Sequence, residues 1–344
     1  RNGERFNRKS ALLRAMSQDP VISQAKLIAE PWDIGPEGYQ LGNFPANWVE
    51  CNDKYRDGMR KFWRGEKGLV AETASRILGS RDVFRKGKRS QLSSVNYIAY
   101  HDGFTLQDIV SYEQRHNLAN LEDNRDGHGA NYTSNYGVEG PTTNMEIVEV
   151  RERQKRNLIA SLLFSQGIPH ILAGDEFSRS QNGNNNAYCQ DNEISWLNWN
   201  LDARQRAFMN FVRRCISVRN EFSILQQCFL LDDNYQHSDY HHHVSWIRPD
   251  GEEKQIEDWH NHDNQCLGLI IADDDKGYQL LLLLNSSTQP VTYVLPEGRN
   301  KTCILDTSFP EDENRTIEED TESYQQLDRS LSLWKIDYQL DTSI

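Results

Sequence analysis

No two cysteines in this sequence fall in a Cys-x-x-Cys spacing. The six present, Cys51, Cys189, Cys215, Cys228, Cys266 and Cys303, are spread thinly through 344 residues. That usage argues against a disulfide framework and predicts free thiols in a reducing cytosol. Basic charge is also short: 38 Lys and Arg against 51 Asp and Glu leave a net charge of −13. Nucleic acid and anionic membrane surfaces need basic patches, so both are excluded as expected partners. No long hydrophobic run occurs. The longest, Leu280 to Leu284, is far too short to span a bilayer, and no stretch resembles a signal peptide. Internal repeats and low-complexity tracts are absent, apart from His241-His242-His243. Neighbours on a strand point to opposite faces, so that run reads as an exposed turn and not as a metal site. No cofactor or metal is called for.

What is present indicates a cored protein. Hydrophobic residues make up 37%, charged residues 26%, and there are 8 Trp, 14 Tyr and 12 Phe. The length suits two domains. The acidic surface is compatible with an uncharged partner such as a sugar polymer. The chain opens on Arg1 in a polar stretch and not on Met, so the native N-terminus need not lie here.

Up to about residue 223, short apolar runs alternate with helical patterns. Strands are expected over Lys26–Glu30, Ser94–Tyr100 and Ile168–Ala173. Helices are expected over Ser10–Met16, over Gly58–Leu78 with a break at Gly65, over Glu149–Gln166 and over Arg204–Phe222. Leu158, Ile159, Leu162 and Leu163 share one face of the third helix, and Phe208, Val212, Cys215 and Ile216 one face of the last. The alternation predicts a parallel α/β layout over residues 1–223. From residue 224 to 344, short strand-like runs separated by clusters such as Pro249-Asp250-Gly251 predict an antiparallel β-sandwich.

Two carboxylates end two of the strands: Glu30, and Asp102 behind His101. Catalytic groups of a β/α barrel sit at the carboxyl ends of its strands. Glycoside cleavage needs a carboxylic acid to protonate the leaving oxygen, and carboxylates to support an oxocarbenium-like transition state. Trp32 sets an aromatic ring beside the first acid, and His101 an imidazole beside the second. Polar, glycine-rich loops surround them: Asn120 to Gly129, and Asn182-Gly183-Asn184-Asn185-Asn186. Long loops of this kind are often functional, and short polar side chains suit sugar hydroxyls. Read from strand position alone, the same residues could be ordinary strand-terminal acids and solvated connectors.

Five segments resemble, in order and spacing, the isoamylase and glycogen-debranching group of glycoside hydrolase family 13, the α-amylase superfamily. Lys26 to Gly35 (KLIAEPWDIG) resembles its acid-bearing fifth strand, Val95–Leu106 its seventh strand with the His-Asp pair, and Gly167–Phe177 its eighth. Gly137–Thr142 and Asn184–Trp196 (NNNAYCQDNEISW) resemble stretches of the debranching branch. The likeness runs over about residues 5–223, more weakly beyond. It implies the second half of a (β/α)8 TIM barrel followed by a β-sandwich domain. It implies hydrolysis of α-1,6 links in glycogen or limit dextrin by a retaining mechanism, in the cytoplasm. Glu30 would be the general acid/base, Asp102 the transition-state stabiliser and His101 a donor to the same sugar. Trp32, Asn124, Arg125, Asn186 and Trp196 would contact substrate. The family's nucleophilic Asp, in a segment resembling Gly-Phe-Arg-Phe-Asp, has no counterpart here. The chain is expected to be the carboxyl-terminal portion of such an enzyme, inactive alone, with the first half of the barrel as its partner. Two other readings are compatible: a transglycosylase of the same superfamily, and a non-catalytic glucan-binding or regulatory subunit.

Overall fold

A computed structural model describes residues 5–85, 89–226, 242–309, 315–316 and 321–338. Its first part runs α1 (Ala11–Gln18), β1 (Leu27–Ala29), β2 (Trp48–Asn52), α2 (Asp53–Trp63), α3 (Val70–Ile77), a single turn α4 (Arg81–Phe84), β3 (Ser94–Tyr97), a single turn α5 (Leu106–Ile109), α6 (Met145–Phe164), β4 (Ile168–His170) and α7 (Ala203–Glu221). The four strands form one parallel sheet in the order β1-β2-β3-β4. Sequential strands are neighbours because each connection carries a helix or a long loop that returns the chain to the same sheet end.

The helix boundaries follow from side-chain caps. Asn52 accepts the Tyr55 N–H at the start of α2, and Asn144 accepts the Glu146 N–H at the start of α6. Asp202 and Gln205 exchange bonds as a capping box on α7. The helical pattern over Gly58–Leu78 divides into α2 and α3, with Gly65 between them at φ +88°. Leu158, Ile159, Leu162 and Leu163 are all buried, as are Phe208, Val212 and Cys215. Ile216 departs from that expectation and is 40% exposed, on the side of α7 that borders the open edge at β4.

Strand β2 is absent from the sequence reading. Its pattern Trp-Val-Glu-Cys-Asn puts two polar residues on a buried face, where each is satisfied. The Glu50 carboxylate pairs with the Arg89 guanidinium, both buried, and accepts the Gly42 and Phe44 N–H groups at 2.6 and 3.2 Å. Asn52 donates to Ser80 Oγ and Ser94 Oγ at 2.9 and 2.8 Å.

Beyond α7 the chain is antiparallel. Strands β5 (His242–Ile247), β6 (Cys266–Asp273), β7 (Tyr278–Asn285), β9 (Arg299–Asp306), β10 (Arg315–Thr316) and β12 (Ser330–Asp337) form a sheet in the order β10-β9-β12-β7-β6-β5. Strands β8 (Val291–Val294) and β11 (Ser323–Gln326) form a second, two-stranded sheet, and a short helix α8 (Ile256–His260) follows β5. The five consecutive leucines of β7 are explained by burial on both faces. Leu280, Leu282 and Leu284 join the core shared with α2, α3, α6 and α7, while Leu281 and Leu283 pack with Tyr293 and Trp334 in a second core. Each such side chain contributes ~1.5–3 kcal/mol. Asn157 of α6 donates to the Arg329 carbonyl at 2.7 Å and Arg156 to the Thr307 carbonyl at 2.7 Å.

Among the described residues, no helix is long and apolar enough to cross a membrane. Cys51, Cys189, Cys215 and Cys266 are free thiols. Cys228 lies outside the described residues, and the His241-His242-His243 run lies partly outside them.

Candidate active site

Strands β1 and β3 deliver their terminal acids to the same end of the parallel sheet, because parallel strands point all their carboxyl ends one way. Glu30 is the residue after β1, and Asp102 lies in the turn after β3. Tyr100 connects the two segments. Its hydroxyl donates to Glu30 Oε1 at 2.7 Å and lies 3.6 Å from Cys51 Sγ. Burial pushes the Cys51 thiol up from its ordinary range; Glu30, Asp102 and Glu50 add to that, while the Tyr100 hydrogen bond opposes it. Burial and the bond to Glu30 likewise raise the Tyr100 phenol, which stays protonated.

The floor is aromatic. The Tyr100 ring lies 4.9 Å from Tyr97, 4.4 Å from His101 and 5.3 Å from His170 of β4, between centroids. Trp32 packs with Val49 and Tyr100 against Cys51, Val95 and Tyr97. The Arg56 guanidinium of α2 sits 5.7 Å from the centre of the Tyr97 ring. Burial, with His101 nearby, holds the His170 imidazole below its usual range. The Tyr97 hydroxyl and His170 Nδ1 are buried with no hydrogen-bond partner among the described residues.

Asp102 has a partner that the sequence reading missed. His128 Nε2 lies 3.3 Å from Asp102 Oδ2. That bond is the largest cause holding the Asp102 carboxyl below the ordinary range, against the opposing effect of burial; His128, His101 and Arg56 add charge in the same direction. His128 stands in a polar loop with no strand or helix pattern around it, so only its motif neighbours could have flagged it.

Glu30, Trp32, His101 and Asp102 are thus brought to one sheet end. The other four sequence candidates lie on the loops above. Asn124 spends its amide within its own loop, accepting the Asn117 N–H at 2.7 Å and donating to the Arg115 carbonyl at 3.0 Å. Asn186 donates to Asp126 Oδ2 at 2.9 Å. Arg125 is exposed and pairs with Asp123 at 2.8 Å. Trp196 is 61% exposed, with its indole N–H on Asp191 at 3.0 Å.

The asparagines of these loops, with Asn117 just before the first, mostly stitch loops together. Asn117 and Asn185 exchange two bonds, at 2.8 and 2.9 Å. Asn120 donates to Asp126 Oδ2 at 2.7 Å and to the Asn186 carbonyl at 2.8 Å, and accepts from Asn184 at 2.9 Å. Loops separated by more than 50 residues are joined this way. Below them, Asp108 and Asp175 are fully buried. Burial raises Asp108 to about 6 against its bonds from Ser180 and Gln181, and raises Asp175 to about 7 against its bond from the Leu106 N–H. No group of three His, Cys, Asp or Glu side chains among the described residues could hold a metal ion.

Residues 243–338 match the family described as "Isoamylase, C-terminal". Over 319 residues the chain is 42% identical to the glycogen operon protein GlgX homolog of Mycobacterium bovis, covering 88% of this chain and 44% of that protein. Over 293 residues it is 41% identical to the glycogen debranching enzyme of Serratia proteamaculans, covering 85% and 42%. The fold resembles pullulanase type I from Bacillus subtilis, solved with maltose, at a TM-score of 0.65 and 18% identity over 95% of this chain and 42% of that one. It resembles the catalytic module of the glycogen-degrading pneumococcal virulence factor SpuA at a TM-score of 0.66 and 12% identity, over 93% and 49%. The chain spans less than half the length of the curated relatives it matches. By these matches residues 243–338 carry a domain of the "Isoamylase, C-terminal" family, and over most of its length the chain is similar to these glycogen operon and debranching proteins.

Proposed function

We propose that this chain carries the acid/base half of the active site of an α-glucan debranching hydrolase acting on α-1,6 links in glycogen or limit dextrin. In this reading β1–β4 are the second half of a (β/α)8 barrel within residues 1–223, and residues 224–344 form a β-sandwich domain on it. The edges of β1 and β4, which pair with no further strand among the described residues, then meet the other half of the barrel. The observation that carries the reading is the delivery of Glu30 and Asp102 to one end of the parallel sheet, with the Tyr100 hydroxyl from the Asp102 segment bonded to Glu30.

Glu30 protonates the glycosidic oxygen as the bond to the branch breaks. A nucleophilic carboxylate outside this chain takes the anomeric carbon as a covalent glycosyl ester, and Glu30 then removes a proton from the water that hydrolyses it. Asp102 accepts hydroxyl hydrogens of the same sugar, and His101 donates to it. Trp32, Arg125, Asn186 and Trp196 are candidates for contacts with neighbouring sugars. Asn124 keeps its place among the candidates only through the shape of its loop.

The test is Glu30→Gln in the full-length protein. General acid catalysis is commonly worth ~10²–10⁴-fold, so release of linear chains from glycogen should fall by that much while glucan binding persists. Unchanged turnover would overturn the assignment of Glu30. Transfer of the released chain to a second glucan in place of water would move the reading to a transglycosylase.

A further inference from the structure

We propose that His128 is a positioning residue for Asp102: it holds one carboxylate oxygen and leaves the other directed at the sugar. The proposal deepens the debranching assignment and rests on it.

The imidazole is built into place. The His128 carbonyl accepts two side-chain amides, from Asn131 at 2.9 Å and from Asn185 at 2.9 Å. Both asparagines are buried, and Asn185 comes from the loop after β4. The preceding residue must be small. Gly127 has φ +75°, and a Cβ there would lie 2.2 Å from Asn185 Oδ1 and 2.9 Å from Asn117 Nδ2. Its carbonyl accepts Arg115 Nη1 at 3.2 Å. Two loops thus fix the backbone on both sides of one histidine.

From that anchor the ring reaches down to Asp102 Oδ2, 3.3 Å away. A carboxylate only accepts, so Nε2 carries the hydrogen. Asp102 Oδ1 takes no hydrogen bond from the described residues, and the Asp102 side chain remains 36% exposed. The pair borders a crevice with Arg56, Arg60, Tyr100 and Gly103. The charged and titratable groups facing it are Cys51 of β2, Arg56 and Arg60 of α2, Tyr97 of β3, and Tyr100 and His101 of the segment after β3. Arg60 is committed elsewhere, to the Ile98 and Asn131 carbonyls at 2.8 and 2.9 Å. His128 is therefore the side chain that fixes the rotation of the Asp102 carboxylate.

Two measurements test this. In the full-length protein, His128→Ala should lower kcat on a branched dextrin about 10- to 100-fold, the usual weight of a hydrogen bond to a charged group, with a smaller effect on KM. The acid limb of the kcat profile should move to higher pH, because Asp102 acts ionised and loses the bond that favours that form. His128→Gln, which keeps a donor, should restore most of the rate and the limb. Unchanged kcat and pH limb in His128→Ala overturns the proposal, as does a Gln variant as impaired as Ala. Independently, carbon-detected NMR titration of Asp102 in the full-length protein should show its midpoint rising in His128→Ala, and an unmoved midpoint overturns the pairing itself. If the wild-type protein cleaves no α-1,6 link, the debranching assignment falls, and the titration alone decides whether His128 holds Asp102.

Discussion

The Tyr100 hydroxyl and the Glu30 carboxylate share a 2.7 Å hydrogen bond across two strands that are not neighbours in the sheet. The proposed acid is therefore oriented by the segment that carries the proposed stabiliser, Asp102. Tyr100→Phe keeps the ring that packs on Tyr97, His101 and His170 and removes only the donor. Debranching turnover in the full-length variant should fall about tenfold or more. Rates equal to wild type would mean that Glu30 is oriented by something else.

The ion pair of Glu50 and Arg89 bears on stability. Both side chains are buried, so removing one leaves the other charge without its partner. Arg89→Met should cost about 3–5 kcal/mol in urea denaturation. The double variant Glu50→Leu, Arg89→Met should cost less than the sum of the single changes. Strict additivity would show that the pair is not coupled.

Asp175 predicts a pH effect of definite sign. Its folded-state value of about 7 lies above the ordinary carboxylate range, so the folded protein holds a proton that the unfolded chain has released. Stability from this group is fully present below about pH 4 and is lost as pH rises towards 7. Asp175→Asn keeps an acceptor for the Leu106 N–H and removes the titration. Between pH 5 and 7 the variant should gain about 2 kcal/mol relative to wild type. A constant difference across that range would mean that Asp175 does not titrate there.

Gly127→Ala should loosen two loops at once. The methyl group meets Asn185 and Asn117 in a backbone conformation that already disfavours a side chain. Limited proteolysis should then cut both the segment around residue 120 and the segment around residue 185 faster than in wild type. Cleavage confined to the first would show that the Asn117–Asn185 bonds do not couple them.

Much of this was legible in the sequence where burial follows periodicity. Helix α6 declared itself through Leu158, Ile159, Leu162 and Leu163, and β7 through its leucines. Glu30 and Asp102 were legible as strand-terminal acids because such residues stand out against apolar runs. Strand β2 was hidden because Glu50 and Asn52 are buried with partners, Arg89, Ser80 and Ser94, that only the fold supplies. The strands β10 and β11 and the helix α8 were too short to give a pattern. The loop asparagines misled for a related reason: a short amide suits a sugar hydroxyl and another amide equally, and sequence alone cannot tell which one it meets. His128 belongs to the same class, since its partner Asp102 lies 26 residues away.

The inner leucines of β7, together with Leu267, Leu269, Leu305, Leu331 and Leu333, are buried in the same core as Phe62, Trp63, Leu158 and Phe211 from the helices. The antiparallel sheet therefore has no apolar interior of its own on that side, and a change of architecture along the chain is not a change of cooperative unit. Heating should give one calorimetric transition spanning helices and sheet together. Excising residues 243–338 as a module should yield a sheet with one bare leucine face, prone to self-association.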